Sequence, residues 1–241
     1  MSLWRVKEGQ YPPPEPRKTT NFMEPIFAYV RDCYSKSYFL WIFFGTLFFQ
    51  LGNQGNQYQT FYLRYDLGMD LGTIGWISGI GSTASTIFGL TLGYMAGSMI
   101  DRLKPIKVIP ITFYIWALLN LLSYFYLRDK YSAAILNVLI NIDQFVFYVA
   151  LGAVTVELFP REKLGQFCSA QAFFYQTIIM FLNPIVIGPF YDWIKWNQFS
   201  YMWAAIFYFL AGLVTTKVYF NWKKKQAEDS AQQAAVAGSQ A

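Results

Sequence analysis

The chain has 241 residues, of which 55% are hydrophobic, 20% aromatic and 14% charged, with a mean hydropathy of +0.27 and a formal charge of +5. Soluble domains average about 25% charged residues, so this composition excludes an ordinary soluble globular domain and points to an integral membrane protein. There is no histidine, and Cys33 and Cys168 stand far apart, which excludes a Cys/His zinc site, a histidine-dependent triad and a disulfide framework.

Taken from its start, MSLWRVKEGQYPPPEPRKTT is polar and proline-rich, with no apolar core of a cleavable signal. Residues 1–36 read as a water-side segment, and NFMEPIFAYVRDCYSKS within it as an amphipathic helix at the membrane surface. Six apolar spans are predicted next: Tyr38 to Tyr62, Gly72 to Ile100, Ile106 to Leu127, Ala133 to Phe159, Leu164 to Phe190 and Phe199 to Phe220. Each exceeds the ~20 residues that cross ~30 Å of hydrocarbon, so tilt is expected. They make a bundle over residues 37–222, followed by a flexible tail over 223–241.

Charge orients the bundle. Six spans place both termini on one side, together with Arg5, Lys7, Arg17, Lys18, Arg31, Lys36, Arg102, Lys104, Lys107, Arg161, Lys163, Lys217 and Lys223 to Lys225. The opposite side carries Arg64, Arg128, Lys130 and Lys195. Because basic residues mark the cytoplasmic side, both termini are expected there, in a plasma or inner membrane. The positive charge is thus accounted for by topology, and no nucleic-acid partner is expected.

The first span ends in QLGNQGNQYQ, six side-chain amides within ten residues. On a continuous helix Gln50, Asn53, Gln54 and Gln57 share one face, while Asn56 and Gln59 lie off it. An unpaired amide in hydrocarbon costs several kcal/mol, so this face is expected to look at other helices or a watery cavity. Gly52 and Gly55 are expected to loosen the helix there. The second span carries Gly75, Gly79, Gly89, Gly93 and Gly97, a spacing that allows close helix approach. In the fourth span Asn137, Asn141, Gln144 and Tyr148 form a second polar stripe, with Asp143 about 100° round from Gln144. An ionisable residue at mid-span is a functional-site hypothesis by default, and Asp143 is the candidate proton or cation site. A structural hydrogen bond to a neighbouring helix is its plainer role. In the fifth span Asn183-Pro184 and Gly188-Pro189 interrupt the helix. Amides both donate and accept, which suits hydroxyl-rich solutes, and Tyr58, Tyr62, Tyr148 and Trp116 are candidate stacking faces. The expected site is a substrate cavity lined by Gln50, Asn53, Gln54, Gln57, Asn137, Asn141 and Gln144. No catalytic constellation, metal site or cofactor site is read, so the chain is not expected to be an enzyme.

The loops carry a resemblance. After the second span the chain reads Gly93-YMA-Gly97-SMI-Asp101-Arg102-Leu103-Lys104-Pro105, and after the fourth Glu157-Leu-Phe-Pro160-Arg161-Glu-Lys-Leu-Gly165-Gln. These resemble the paired cytoplasmic loop motifs of the major facilitator superfamily, in particular its sugar-transporter branch. FFQLGNQGNQYQTFYL is similar in character to the glutamine-rich seventh helix of that branch. The likeness covers about residues 1–222 and the carboxy-terminal six-helix half of the family fold, with residues 1–36 similar to its central loop. Lys104-Pro105 differs from the family, where glycine and then basic residues are usual.

The resemblance implies alternating access around a cavity shared by two halves. It implies cytoplasmic gate contacts at Asp101, Arg102, Glu157 and Arg161, for which topology anchoring is the plainer role. The fold expected is therefore all-α, half of that superfamily's architecture, moving a small polar solute, sugar-like by preference, with possible proton or cation coupling. Its expected partners are the bilayer and a second six-helix half, as a separate chain or a second copy. The other reading is a non-transporting accessory or assembly subunit of a larger membrane complex.

Overall fold

The computed structural model describes residues 23–35 and 37–238. The expectations for residues 1–22 lie outside the described residues. The described chain is helical: α1 (Met23–Tyr34), α2 (Ser37–Phe61), α3 (Leu71–Leu103), α4 (Pro105–Tyr126), α5 (Lys130–Leu158), α6 (Leu164–Leu182), α7 (Gly188–Ile194) and α8 (Phe199–Gly238). The last helix runs on beyond the predicted end of the sixth span.

Local chemistry sets several boundaries. Asp129 caps α5, accepting from the backbone of Tyr131 at 2.8 Å and Ser132 at 2.9 Å, while the Ser132 hydroxyl accepts from the Asp129 backbone at 3.2 Å. Asp70 does the same for α3 through the backbone and hydroxyl of Thr73. Pro184 removes a backbone donor, and the chain there takes a wide π turn over Asn183–Ile187 before resuming as α7. Pro105 opens α4 after Lys104, whose φ of 68° is a left-handed value that glycine adopts readily.

Among the described residues, four helical stretches are long and apolar enough to cross a membrane: Pro105–Tyr126, Lys130–Leu158, Leu164–Ile194 and Phe199–Glu228. The chain is accordingly a multi-pass membrane protein. α2 and α3 have 25 and 33 residues, ample length for a crossing. Their hydropathy is diluted by the amide block in α2 and by Gly, Ser and Thr in α3.

Helices stack in the order α3, α5, α4, α8, α2, α6, with α2 on α8 and α4 on α8 the most extensive contacts. At one end α1 joins the starts of α2 and α6 and the end of α5 through Cys33, Phe39, Phe159 and Phe167. At the other, Tyr62, Ile74, Leu127, Ala133 and Tyr201 close the bundle. Between them Phe49, Phe113, Trp116, Phe147 and Tyr208 form an aromatic centre, in which Phe49 and Trp116 stack at 5.5 Å. These rings pack α2, α4, α5 and α8 against one another.

Candidate functional site

The amide block stays helical. Gly52 and Gly55 do not break α2; they admit α8. A Cβ on Gly52 would lie 2.7 Å from the Tyr208 ring, and one on Gly55 would lie 2.9 Å from both the Ser200 carbonyl and Trp203. The expected loosening is replaced by close packing, and the Leu51 carbonyl gains a bond from Trp203 Nε1 at 2.8 Å.

Through this contact the amides become a ladder. Asn53 Nδ2 donates to Gln50 Oε1 at 3.2 Å, and the Tyr208 hydroxyl donates to Asn53 Oδ1 at 2.8 Å while accepting from Asn56 Nδ2 at 3.1 Å. Gln59 Nε2 donates to Asn56 Oδ1 at 2.9 Å and to Asn120 Oδ1 on α4 at 3.1 Å. Gln57 donates to Gln54 at 3.3 Å. The residues off the predicted stripe, Asn56 and Gln59, thus reach neighbouring helices, as Asn53 on the stripe also does. Tyr208 joins them and carries no sequence signal, being one of 18 tyrosines.

Gln50 and Asn53 reach a cavity of about 440 Å³ with walls from α2, α4, α5, α6 and α8. Its polar groups are Thr46, Gln50, Asn53, Tyr148, Thr155, Gln171, Tyr175 and Thr215; apolar and aromatic side chains, including Phe49, Phe113, Phe147 and Leu151, make up most of the rest. Among the described residues no charged side chain lines it. Gln171, whose Nε2 bonds the Thr46 hydroxyl, was missed by sequence reasoning, although a lone amide in an apolar helix is the same signal that marked Gln50.

The walls come from the start and middle of α2, the first part of α4 and α6, the end of α5 and the middle of α8. The cavity therefore lies toward the end of the bundle where α1 sits. The opposite end is filled: Tyr58 stacks on Tyr191 at 3.9 Å, the Tyr62 hydroxyl donates to the Leu127 carbonyl at 3.0 Å, and Gln198 Nε2 bonds the Tyr124 carbonyl. Of the predicted stacking faces, Tyr148 borders the cavity, whereas Trp116 is buried behind it.

The second polar stripe is divided. Asn137 packs against Gly81, where a Cβ would lie 1.9 Å from its Oδ1, and accepts from Asn141 Nδ2. Asn141 and Gln144 border a more open depression of about 500 Å³ with Ser85 and Tyr148, so Tyr148 separates it from the first. Gln54 and Gln57 border neither. On α3, Gly89 and Gly93 receive Phe145, whereas Gly75, Gly79 and Gly97 have no neighbour within 4 Å. Asp143 is 8% exposed, borders neither space, and its Oδ2 has no hydrogen-bond partner among the described residues.

Of the gate candidates, the side chains of Asp101 and Arg161 lie outside the described residues. Arg102 is exposed beside Tyr94, Gly97 and Ser98, and Glu157 lies within electrostatic reach of Lys104. An ion pair at this end joins Lys163 Nζ to Asp32 at 2.7 Å; hydrogen bond and charge together raise the Lys163 ammonium above its ordinary value and tie α1 to the turn before α6.

A model of the Major Facilitator Superfamily matches residues 40–238 of this chain. Neither a curated protein nor a solved structure matches it.

Proposed function

The chain belongs to the Major Facilitator Superfamily, a family of membrane transporters, and we propose that it binds and moves a small uncharged solute by alternating access. The cavity carries this reading: amides and hydroxyls without a charged side chain suit a ligand that both donates and accepts hydrogen bonds. A charged solute would lose its hydration there without a counter-charge. Phe49, Phe147 and Tyr148 offer flat apolar faces beside Gln50, Asn53 and Gln171, a mixture that fits a sugar-like solute with hydroxyl edges and C–H faces.

In this reading α2 and α3 also cross the bilayer, giving six spans. The bias of basic residues supports a cytoplasmic α1 end, and in this reading the cavity opens to the cytoplasm and is sealed opposite. The open side between α5 and α6 is where a second six-helix half completes the site, on another chain, a second copy or further sequence. Asp143 is the proposed coupling site, because a buried carboxyl oxygen without a partner is costly unless its protonation or ion occupancy changes with function.

The test is uptake into proteoliposomes across a panel of uncharged polyols and sugars, with charged analogues as controls. Gln50→Leu is expected to abolish uptake of the solute that wild type carries, and Asp143→Asn to remove its dependence on a proton or sodium gradient. Uptake of charged analogues at the same rate would overturn the solute class; gradient dependence surviving in Asp143→Asn would overturn the coupling role. One observation favours a second reading, a non-transporting subunit: most amides of α2 are engaged within the protein. A chain recovered only in fixed ratio within a much larger complex would support it.

A further inference from the structure

Two lysines at the start of α4 share an aromatic platform on α8. Lys104 Nζ lies 5.1 Å from the centre of the Trp222 ring and Lys107 Nζ lies 5.8 Å from that of Tyr219, and the two rings stack on each other at 28°. Neither lysine forms an ion pair among the described residues, where the pairs are Lys163–Asp32 and Lys224–Glu228. Among the described residues, Glu157 is a carboxylate within electrostatic reach of Lys104. Lys223 and Lys225 follow directly on α8 and are exposed. Lys104 holds its place at a backbone cost, since its φ of 68° and ψ of 120° suit glycine and strain a residue with a side chain.

What lies beneath the platform identifies the partner. Ile111, Ile115 and Leu118 on α4 are exposed large hydrophobics at the helical spacing that continues the Lys107 face, and Phe209, Leu213 and Phe220 are exposed large hydrophobics on α8. Since α4 packs along α8, these side chains form a continuous apolar face capped at one end by cations. A soluble phosphate needs only the cations. An acyl chain needs only the apolar face. The two in register match a whole anionic lipid.

We propose that Lys104 and Lys107, on the Trp222–Tyr219 platform, bind the phosphate of an anionic phospholipid whose acyl chains lie along the α4–α8 face. The site is separate from the solute cavity and does not depend on the transport reading.

The full chain, purified in mild detergent, is titrated with phosphatidylglycerol or with phosphatidylcholine of the same acyl chains. Bound lipid is counted by native mass spectrometry and thermal midpoints are recorded. Wild type is expected to retain phosphatidylglycerol in preference and to unfold at higher temperature with it. Lys107→Gln and Lys104→Gly are each expected to weaken that preference by about fivefold, the effect of one basic side chain at an anionic surface. Lys104→Gly also relieves the backbone, so it is expected to fold with an unlipidated midpoint no lower than wild type. Lys195→Gln, at the opposite end, is expected to leave the preference intact. Equal retention of the two lipids, an undiminished preference in both variants, or the same stabilisation by inorganic phosphate alone would overturn the proposal.

Discussion

At the residue scale, Tyr208 and the glycine opposite it decide whether the amide ladder exists. The hydroxyl donates to Asn53 and accepts from Asn56, so Tyr208→Phe removes both part-buried hydrogen bonds at once. We expect it to lower stability by about 1–3 kcal/mol, measured by thermal unfolding in detergent. An unchanged midpoint would mean that these bonds do not form. Gly52 and Gly75 make a paired test. A Cβ at Gly52 meets the Tyr208 ring at 2.7 Å, while one at Gly75 meets nothing within 4 Å. Gly52→Ala is expected to destabilise by about 1–3 kcal/mol through overpacking. Gly75→Ala is expected to be neutral or stabilising by about 0.5–1 kcal/mol, because it removes a flexible residue from a helix interior. Equal effects at the two positions would contradict the α2–α8 packing.

At the element scale, the helix caps give a pH dependence with a definite sign. The backbone bond from Ser132 is the largest influence holding the Asp129 carboxyl below its ordinary value, and the backbone bond from Thr73 does the same for Asp70. A lowered folded value means the caps stabilise fully above the unfolded carboxylate range, about pH 4, and fade as pH falls through the folded value. Asp129→Asn is therefore expected to lower the thermal midpoint at neutral pH and to flatten its loss on acidification. A wild-type acid profile in that variant would exclude the cap as its source. The helices themselves were legible in the sequence, because apolar runs bounded by Asp70, Asp129, Pro105 and Pro184 leave few alternatives. What was not legible was the role of glycine. Spacing alone drew attention to Gly75, Gly79 and Gly97, which touch nothing nearby, and passed over Gly81, on which Asn137 packs. Spacing marks where approach is sterically permitted; which partner arrives depends on tertiary arrangement.

At the scale of the whole molecule, the polar residues of α2 and α5 do not form one lining. Gln50 and Asn53 face the cavity, Asn141 and Gln144 face the depression beyond Tyr148, and Gln54 and Gln57 face neither. A helical stripe read from sequence lies along the whole helix, whereas a cavity occupies only part of it, and here that part is toward the α1 end. Gln171 completes the lining from a helix with no stripe at all. The central claim is that a solute enters this cavity from the cytoplasmic side, and Cys168 reports on it directly. Cys168 borders the cavity, while Cys33 is fully buried on the inner face of α1. The decisive measurement is the alkylation rate of Cys168 by a membrane-impermeant maleimide in sealed vesicles of both orientations, with and without the uncharged solutes of the uptake panel. The account predicts reaction from the cytoplasmic face, slowed by at least one of those solutes and unaffected by charged analogues. Reaction confined to the opposite face, or a rate that no uncharged solute changes, would contradict it.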